Sequence, residues 1–234
     1  SSIKLRNYQM LKDYISIEQS LQLKGTAKLS GAKNAVLVTI ASLILTDGKS
    51  KLTNVPHSQD IGYMCQLIEE LGGTAEFDIE NRTLIVDTTN LNKFAVSHFL
   101  MKTMRASVLV MGPLLAKFGR TEVTLPGGCV IGKRPINFHL KNFRKMGVQI
   151  QQDRAHLCAT VEKLQAAKIV LDYPSVGATE NILMAATLTK GTTKIINAAV
   201  EPEVIDLIDI LKKMGAKIRS EEHTSELQSP CNLV

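Results

Sequence analysis

Ile61-Gly62-Tyr63-Met64-Cys65-Gln66-Leu67-Ile68-Glu69-Glu70-Leu71-Gly72 is the stretch from which the fold can be read. Ile61, Met64, Cys65, Ile68 and Leu71 fall at i, i+3, i+4, i+7 and i+10, so they share one face of a helix. Gly72 follows as its stop. The same offsets return at Ile136, His139, Leu140, Phe143 and Met146 before Gly147. They return again at Val204, Leu207, Ile208, Leu211 and Met214 before Gly215. One amphipathic helix with a glycine cap is therefore written three times, the pattern of an internal repeat.

Working outward, each copy is preceded by an earlier helix that ends on a glycine. These are Gly48, Gly119 and Gly191, spaced 71 and 72 residues apart. A strand follows each: Lys51-Leu52-Thr53-Asn54-Val55, Thr121-Glu122-Val123-Thr124-Leu125 and Thr193-Lys194-Ile195-Ile196-Asn197. Alternating strands follow the first capped helix, at Ala75-Glu76-Phe77-Asp78-Ile79 and Thr83-Leu84-Ile85-Val86-Asp87. The fold class is α/β, in three pseudo-equivalent units. The earlier helices are expected to start near Lys33, Arg105 and Gly177. With the units about a threefold axis, those N-termini share one end of the domain. Helix N-termini attract anions, and two of these add a cation. As ordinary surface groups, Lys33 and Arg105 would each oppose the helix dipole at a cost of roughly 0.3–1 kcal/mol.

The chemistry-bearing stretch is Pro126-Gly127-Gly128-Cys129-Val130-Ile131-Gly132-Lys133-Arg134, between a strand and the second capped helix. Glycines let a ligand approach the backbone, and Lys133 and Arg134 favour a thiolate at Cys129. A lone cysteine is more often a small buried hydrophobe, which is the reading for Cys65, while Cys158 is read as strand or core. His139 takes an inward helix slot that Met64 and Leu207 fill in the other copies. It is either a hydrogen-bonded core histidine or a polar group turned to a site.

Composition narrows the classes. The 234 residues are 44% hydrophobic but only 4% aromatic, with no Trp and a net charge of +6. The charge suits anionic partners, yet Lys and Arg are scattered and no aromatic platform accompanies them, against a dedicated nucleic-acid binder. Four cysteines without C-x-x-C or zinc spacing suit a reducing cytosol and imply no metal. The longest apolar run, 35–45, is short of the ~20 residues a membrane span needs. With no leader pattern read at the start, a cytoplasmic protein is expected.

Ser30-Gly31-Ala32-Lys33-Asn34-Ala35, Lys102-Thr103-Met104-Arg105-Ala106-Ser107, Leu125-Pro126-Gly127-Gly128-Cys129-Val130-Ile131-Gly132 and Ser175-Val176-Gly177-Ala178-Thr179 occur in that order. Together they resemble the UDP-N-acetylglucosamine enolpyruvyl transferases, within the EPSP synthase superfamily. The resemblance covers about residues 14–218, roughly half of a family member. It implies an inside-out α/β barrel of pseudo-threefold βαβαββ units. It implies transfer of the enolpyruvyl group of phosphoenolpyruvate to the 3′-hydroxyl of UDP-N-acetylglucosamine, with release of phosphate and no cofactor. That reaction opens peptidoglycan precursor synthesis, and with it cell-wall growth, cell shape and division.

By the same resemblance Cys129 is the proton donor, forms a covalent adduct and is the fosfomycin target. Lys33, Asn34 and Arg134 match phosphoenolpyruvate contacts. Arg105, Arg134, Pro135, Ile136, Asn137, Phe138, Tyr173, Pro174, Ser175, Val176 and Gly177 match contacts to UDP-N-acetylglucosamine, and His139 lines the site. Asn137 and Phe138 replace a commoner Asp-Leu, and Tyr173 stands where a Lys is frequent. Partners are these two small molecules, with no nucleic acid and no membrane, and the protein is expected to be a monomer.

The expected division is a 1–32 segment of a second, mostly missing domain, a 33–218 three-unit domain with its last unit truncated, and a 219–234 tail. That tail breaks the pattern and resembles a translated sequencing adapter. The chain alone is expected to be inactive, because the family's base, an Asp, belongs to the second domain. Two other readings stand beside this one. One is a 3-phosphoshikimate enolpyruvyl transferase, which lacks the Pro-Gly-Gly-Cys loop. The other is a non-catalytic paralogue that binds nucleic acid through its basic face.

Overall fold

The computed structural model describes residues 19, 24–26, 31–103, 105–124, 136–153, 156–221 and 232–233. The first unit contains α1 (Lys33–Leu43), β1 (Lys49–Leu52), α2 (Gln59–Glu70), β2 (Thr74–Asp78) and β3 (Thr83–Asp87). The second contains β4 (Ala95–Val96), α3 (His98–Thr103), a 3-10 helix (Arg105–Val110), α4 (Met111–Phe118) and β5 (Arg120–Thr124). It continues through α5 (Ile136–Lys145), β6 (Gln149–Gln152) and β7 (His156–Thr160). The third contains β8 (Lys168–Val170), α6 (Val176–Thr187), β9 (Lys194–Ile196), α7 (Pro202–Lys213), β10 (Ser220–Glu221) and β11 (Asn232–Leu233).

The three glycine stops close their helices in one way. Gly72 N–H donates to Glu69 C=O and Gly73 N–H to Ile68 C=O. Gly147 and Val148 donate to Arg144 and Phe143, and Gly215 and Ala216 donate to Lys212 and Leu211. Each is a Schellman motif, which needs a left-handed residue after the helix. Gly72, Gly147 and Gly215 supply it at φ 101°, 88° and 101°. The repeat extends into the loops. Gly48 and Gly191, read as helix ends, stand a few residues beyond α1 and α6, and Asn54 and Asn197, six residues past them, both stand at left-handed φ, 59° and 60°. Asn tolerates that region better than other side chains.

The sheets share a strand order. The second is β4-β5-β7-β6 and the third β8-β9-β11-β10; the first is β1-β3-β2, the same order without a leading strand among the described residues. The leading pairs, β4 with β5 and β8 with β9, are parallel, and the other pairs are antiparallel. The sheets stay separate, and no closed barrel forms among the described residues. Whereas the repeat pattern ends the third unit at 218, β10 and β11 occupy the places that β6 and β7 hold in the second.

The core is helical. In α1 residues 37–43 are all buried, and in α6 residues 178–185 are all buried. The capped helices α2, α5 and α7 bury one face only. Polar groups on the inner helices bond locally: Thr39 Oγ1 donates to Ala35 C=O and Ser42 Oγ to Thr39 C=O, both at 2.7 Å. The second unit's inner helix starts at Arg105 as expected but as a 3-10 turn, becoming α-helical only at Met111. Pro113 gives the reason. It has no N–H to donate and its ring crowds the carbonyl four residues earlier, so an α-helix cannot run through from 105.

Candidate functional site

The N-terminal turns of α4, α5 and α6 meet at Asn181, a fully buried residue of α6. Gly112 N–H, in the first turn of α4, donates to Asn181 Oδ1 at 2.7 Å. Asn181 Nδ2 donates to Val108 C=O at 3.0 Å, and it lies 3.0 Å from Nδ1 of His139 on α5. Helices α4 and α6 can come this close because residue 112 is glycine. A Cβ there would stand 2.2 Å from the Asn181 carbonyl oxygen.

His139 faces the start of α6. A Cβ on Gly177 would be 3.4 Å from His139 Cε1 and 3.7 Å from Nε2. Burial lowers the His139 pKa to about 4, so the ring is neutral at physiological pH. On the preceding turn Ser175 caps α6, its Oγ accepting from Ala178 N–H at 3.4 Å. Thr179 Oγ1 donates to Ser175 C=O at 2.8 Å and accepts from Ala199 N–H at 3.0 Å, fixing the entry to α7. Glu180 is buried beside them. Burial, then the charges of Glu203 and Glu201, push its carboxyl up to about 8.

The sequence-selected residues divide into three sets. Ile136, Asn137, Phe138 and His139 form the first turn of α5, and Ser175, Val176 and Gly177 the cap and first turn of α6. These two turns are in contact through His139 and Gly177. Tyr173 and Pro174 lead into α6, with Tyr173 63% exposed. Lys33 and Asn34 are exposed on the first turn of α1, and Lys33 pairs with Asp60 in the first turn of α2. That pairing offsets the unfavourable placement of a cation at a helix start. Arg105 heads the 3-10 helix; its side chain lies outside the described residues, as do Cys129, Arg134 and Pro135. Cys65 is buried in the core, and Cys158 is half-buried on β7.

These contacts join the start of α5, the second unit's capped helix, to the start of α6, and the first unit's Lys33 stands beside the start of α2. Sequence reasoning passed over Asn181 and Glu180. The available signal was Thr179-Glu180-Asn181, three polar residues at the head of an otherwise apolar helix. Among the described residues no His, Cys, Asp and Glu cluster suits a metal, and no helix is long and apolar enough to cross a membrane.

A family model described as EPSP synthase (3-phosphoshikimate 1-carboxyvinyltransferase) matches residues 17–229. The chain belongs to the EPSP synthase family. Its family relatives include the UDP-N-acetylglucosamine 1-carboxyvinyltransferase of Thermodesulfovibrio yellowstonii. That protein is 48% identical over 206 residues, which is 88% of this chain and 49% of the relative. The enzyme of the same name from Desulfosudis oleivorans is 47% identical over 206 residues, again 88% and 49%. Among solved structures, the enolpyruvyl transferase NikO from Streptomyces tendae superposes with a TM-score of 0.75 at 19% identity, over 90% of this chain and 48% of that one. An EPSP synthase from Acinetobacter baumannii gives 0.66 at 20% identity, over 90% and 46%. These structural likenesses carry the fold of the family. The chain spans about half the length of the curated relatives it matches.

Proposed function

We propose that this chain is the UDP-sugar-binding half of an enolpyruvyl transferase. The enzyme moves the enolpyruvyl group of phosphoenolpyruvate to the 3′-hydroxyl of UDP-N-acetylglucosamine and releases phosphate, the first committed step of peptidoglycan precursor synthesis. The observation that carries this reading is the near-half identity to transferases of that specificity across most of the chain, and the loop cysteine in the sequence and the contact between the α5 and α6 starts support it. In this reading the three units are βαβαββ repeats of an inside-out barrel, acting in the cytoplasm as a monomer without metal or cofactor.

The chemistry assigns roles to the residues. Addition of an alcohol across an enol double bond needs a proton at the methylene carbon, and Cys129 supplies it. The sugar hydroxyl attacks the substituted carbon, giving a tetrahedral intermediate that loses phosphate and a proton to form the enol ether. Lys33, Asn34 and Arg134 hold the phosphate and carboxylate, where fixed cations stabilise the charge of the intermediate. Arg105, Arg134, residues 135–138 and residues 173–177 hold the nucleotide sugar across the α5 and α6 starts. The base that takes the hydroxyl proton belongs to the other half of such a transferase, so the 234-residue chain is expected to release no phosphate by itself.

The family description also names 3-phosphoshikimate as acceptor, and one titration separates the two. The chain, labelled with 15N, is titrated with UDP-N-acetylglucosamine and with shikimate 3-phosphate. Shifts at residues 136–139 and 173–177 with the first ligand alone support the proposal. Shifts with shikimate 3-phosphate alone, or with neither, overturn it.

A further inference from the structure

We infer that Asn181 is a positioning residue, which fixes His139 as a neutral donor with its proton on Nε2, turned toward the start of α6. The orientation of the Asn181 amide is set by backbone groups on both sides. Gly112 N–H is only a donor, so the atom 2.7 Å from it must be the amide oxygen. Val108 C=O is only an acceptor, so the atom 3.0 Å from it must be the amide NH2. That NH2 also reaches His139 Nδ1 at 3.0 Å. An NH2 group offers only donors, so Nδ1 accepts and the ring proton resides on Nε2.

The consequence lies at Gly177. Residue 177 has no side chain, and the His139 ring edge carrying Cε1 and Nε2 stands against it, at 3.4 and 3.7 Å from where a Cβ would be. The Nε2–H therefore faces the turn that, on the reading proposed above, receives UDP-N-acetylglucosamine. It offers a hydrogen bond to an acceptor oxygen there, such as a phosphate or carbonyl. Burial keeps the ring uncharged, so the contact is a neutral donor and not a cation.

The test reads the tautomer directly. In the 234-residue chain with 15N-histidine, long-range 1H–15N spectra at pH 7 are expected to show His139 with a protonated Nε2 and a bare Nδ1. Asn181→Asp leaves one oxygen for Gly112 N–H and places an acceptor against Nδ1, so the proton is expected to move to Nδ1. Asn181→Ala is expected to give a mixture of both forms. Where the Asn181→Asp substitution prevents folding, the wild-type tautomer and the alanine variant decide alone. A wild-type ring protonated on Nδ1, or a tautomer that neither substitution moves, overturns the inference; a merely structural asparagine would leave the tautomer unchanged while lowering stability. Affinity for UDP-N-acetylglucosamine is expected to fall about tenfold in a folded variant whose tautomer has moved, the scale of one hydrogen bond. If the tautomer moves but no nucleotide sugar binds the wild-type chain, the functional reading falls and the positioning role stands.

Discussion

Replacing Gly112 by alanine tests the crossing on which the site is built. A Cβ at 112 would lie 2.2 Å from the Asn181 carbonyl oxygen and 2.9 Å from its Oδ1. Relaxed non-bonded contacts lie near 3.5–4.0 Å between carbons, so α4 and α6 must part by about 1 Å. The carbonyl belongs to the buried middle of α6 and cannot swing aside without moving the helix. Overpacking of this kind costs about 1–3 kcal/mol. The separation also stretches the 2.7 Å bond from Gly112 N–H, and a buried group left unpaired costs a further ~1–3 kcal/mol. Alanine's better helix propensity returns at most about 1 kcal/mol. A net loss of about 2–4 kcal/mol follows, or a fall in Tm of about 5–15 °C for a chain of this size. Gly62 on α2 is the control, because a Cβ there meets nothing within 4 Å. Gly62→Ala is expected to hold stability or raise it by up to about 1 kcal/mol. Urea unfolding followed by circular dichroism measures both. A Gly112→Ala variant within about 0.5 kcal/mol of Gly62→Ala would refute the close crossing.

Glu180→Gln should remove a pH dependence. The folded carboxyl titrates at about 8 against an ordinary value of 4.5, so between those values the native state holds a proton that the unfolded state has lost. Stability therefore falls as pH rises from about 4.5 to about 8, and the glutamine variant should flatten that slope; equal slopes in urea melts at pH 5 and pH 8 would count against it. Burial, with Glu69 adding to it, pushes the Cys65 thiol up to about 11, so at pH 8 iodoacetamide should leave Cys65 unmodified in the native chain and label it after unfolding, while Cys158 reacts in the native state. Peptide mass spectrometry reads the difference, and equal native labelling of the two would contradict the packing. Ser58 and Ser175 cap α2 and α6 through matching 3.4 Å bonds, so each alanine variant should lose about 1 kcal/mol in denaturant melts, but only Ser175→Ala should also weaken UDP-N-acetylglucosamine in calorimetry.

The fold was legible where its determinants are local. A Schellman cap depends on a glycine and the turn before it, so the three stops could be read from residue spacing and recur bond for bond. Strands β4 and β8 were not legible, because two or three residues show no alternation and are held by parallel pairing with β5 and β9. The 3-10 start of the second inner helix was hidden for another reason. The periodicity of its apolar residues suits either helix, and only the exclusion of an α-helical bond at Pro113 distinguishes them. The cysteine loop was the clearest chemical feature of the sequence, and it lies outside the described residues; its role rests on the resemblance.

The site was half legible, and the repeat explains which half. His139 stood out because its slot is Met64 in one copy and Leu207 in another. Asn181 departs in the same manner: ten residues before a closing glycine, its counterparts are Val38 and Leu109. An apolar core slot in two copies can become polar in the third only if that copy supplies partners, since an unpaired amide buried in a core costs several kcal/mol. The two departures supply each other, with His139 Nδ1 and Asn181 Nδ2 at 3.0 Å. Neither could be recognised as a partner from its own neighbourhood, because they are 42 residues apart and Asn181's backbone partners, Gly112 and Val108, are 69 and 73 residues away. The two departures thereby join the second unit to the third. Here His139 lies in the first turn of α5 and Asn181 one turn into α6, next to the place where the nucleotide sugar is proposed to bind.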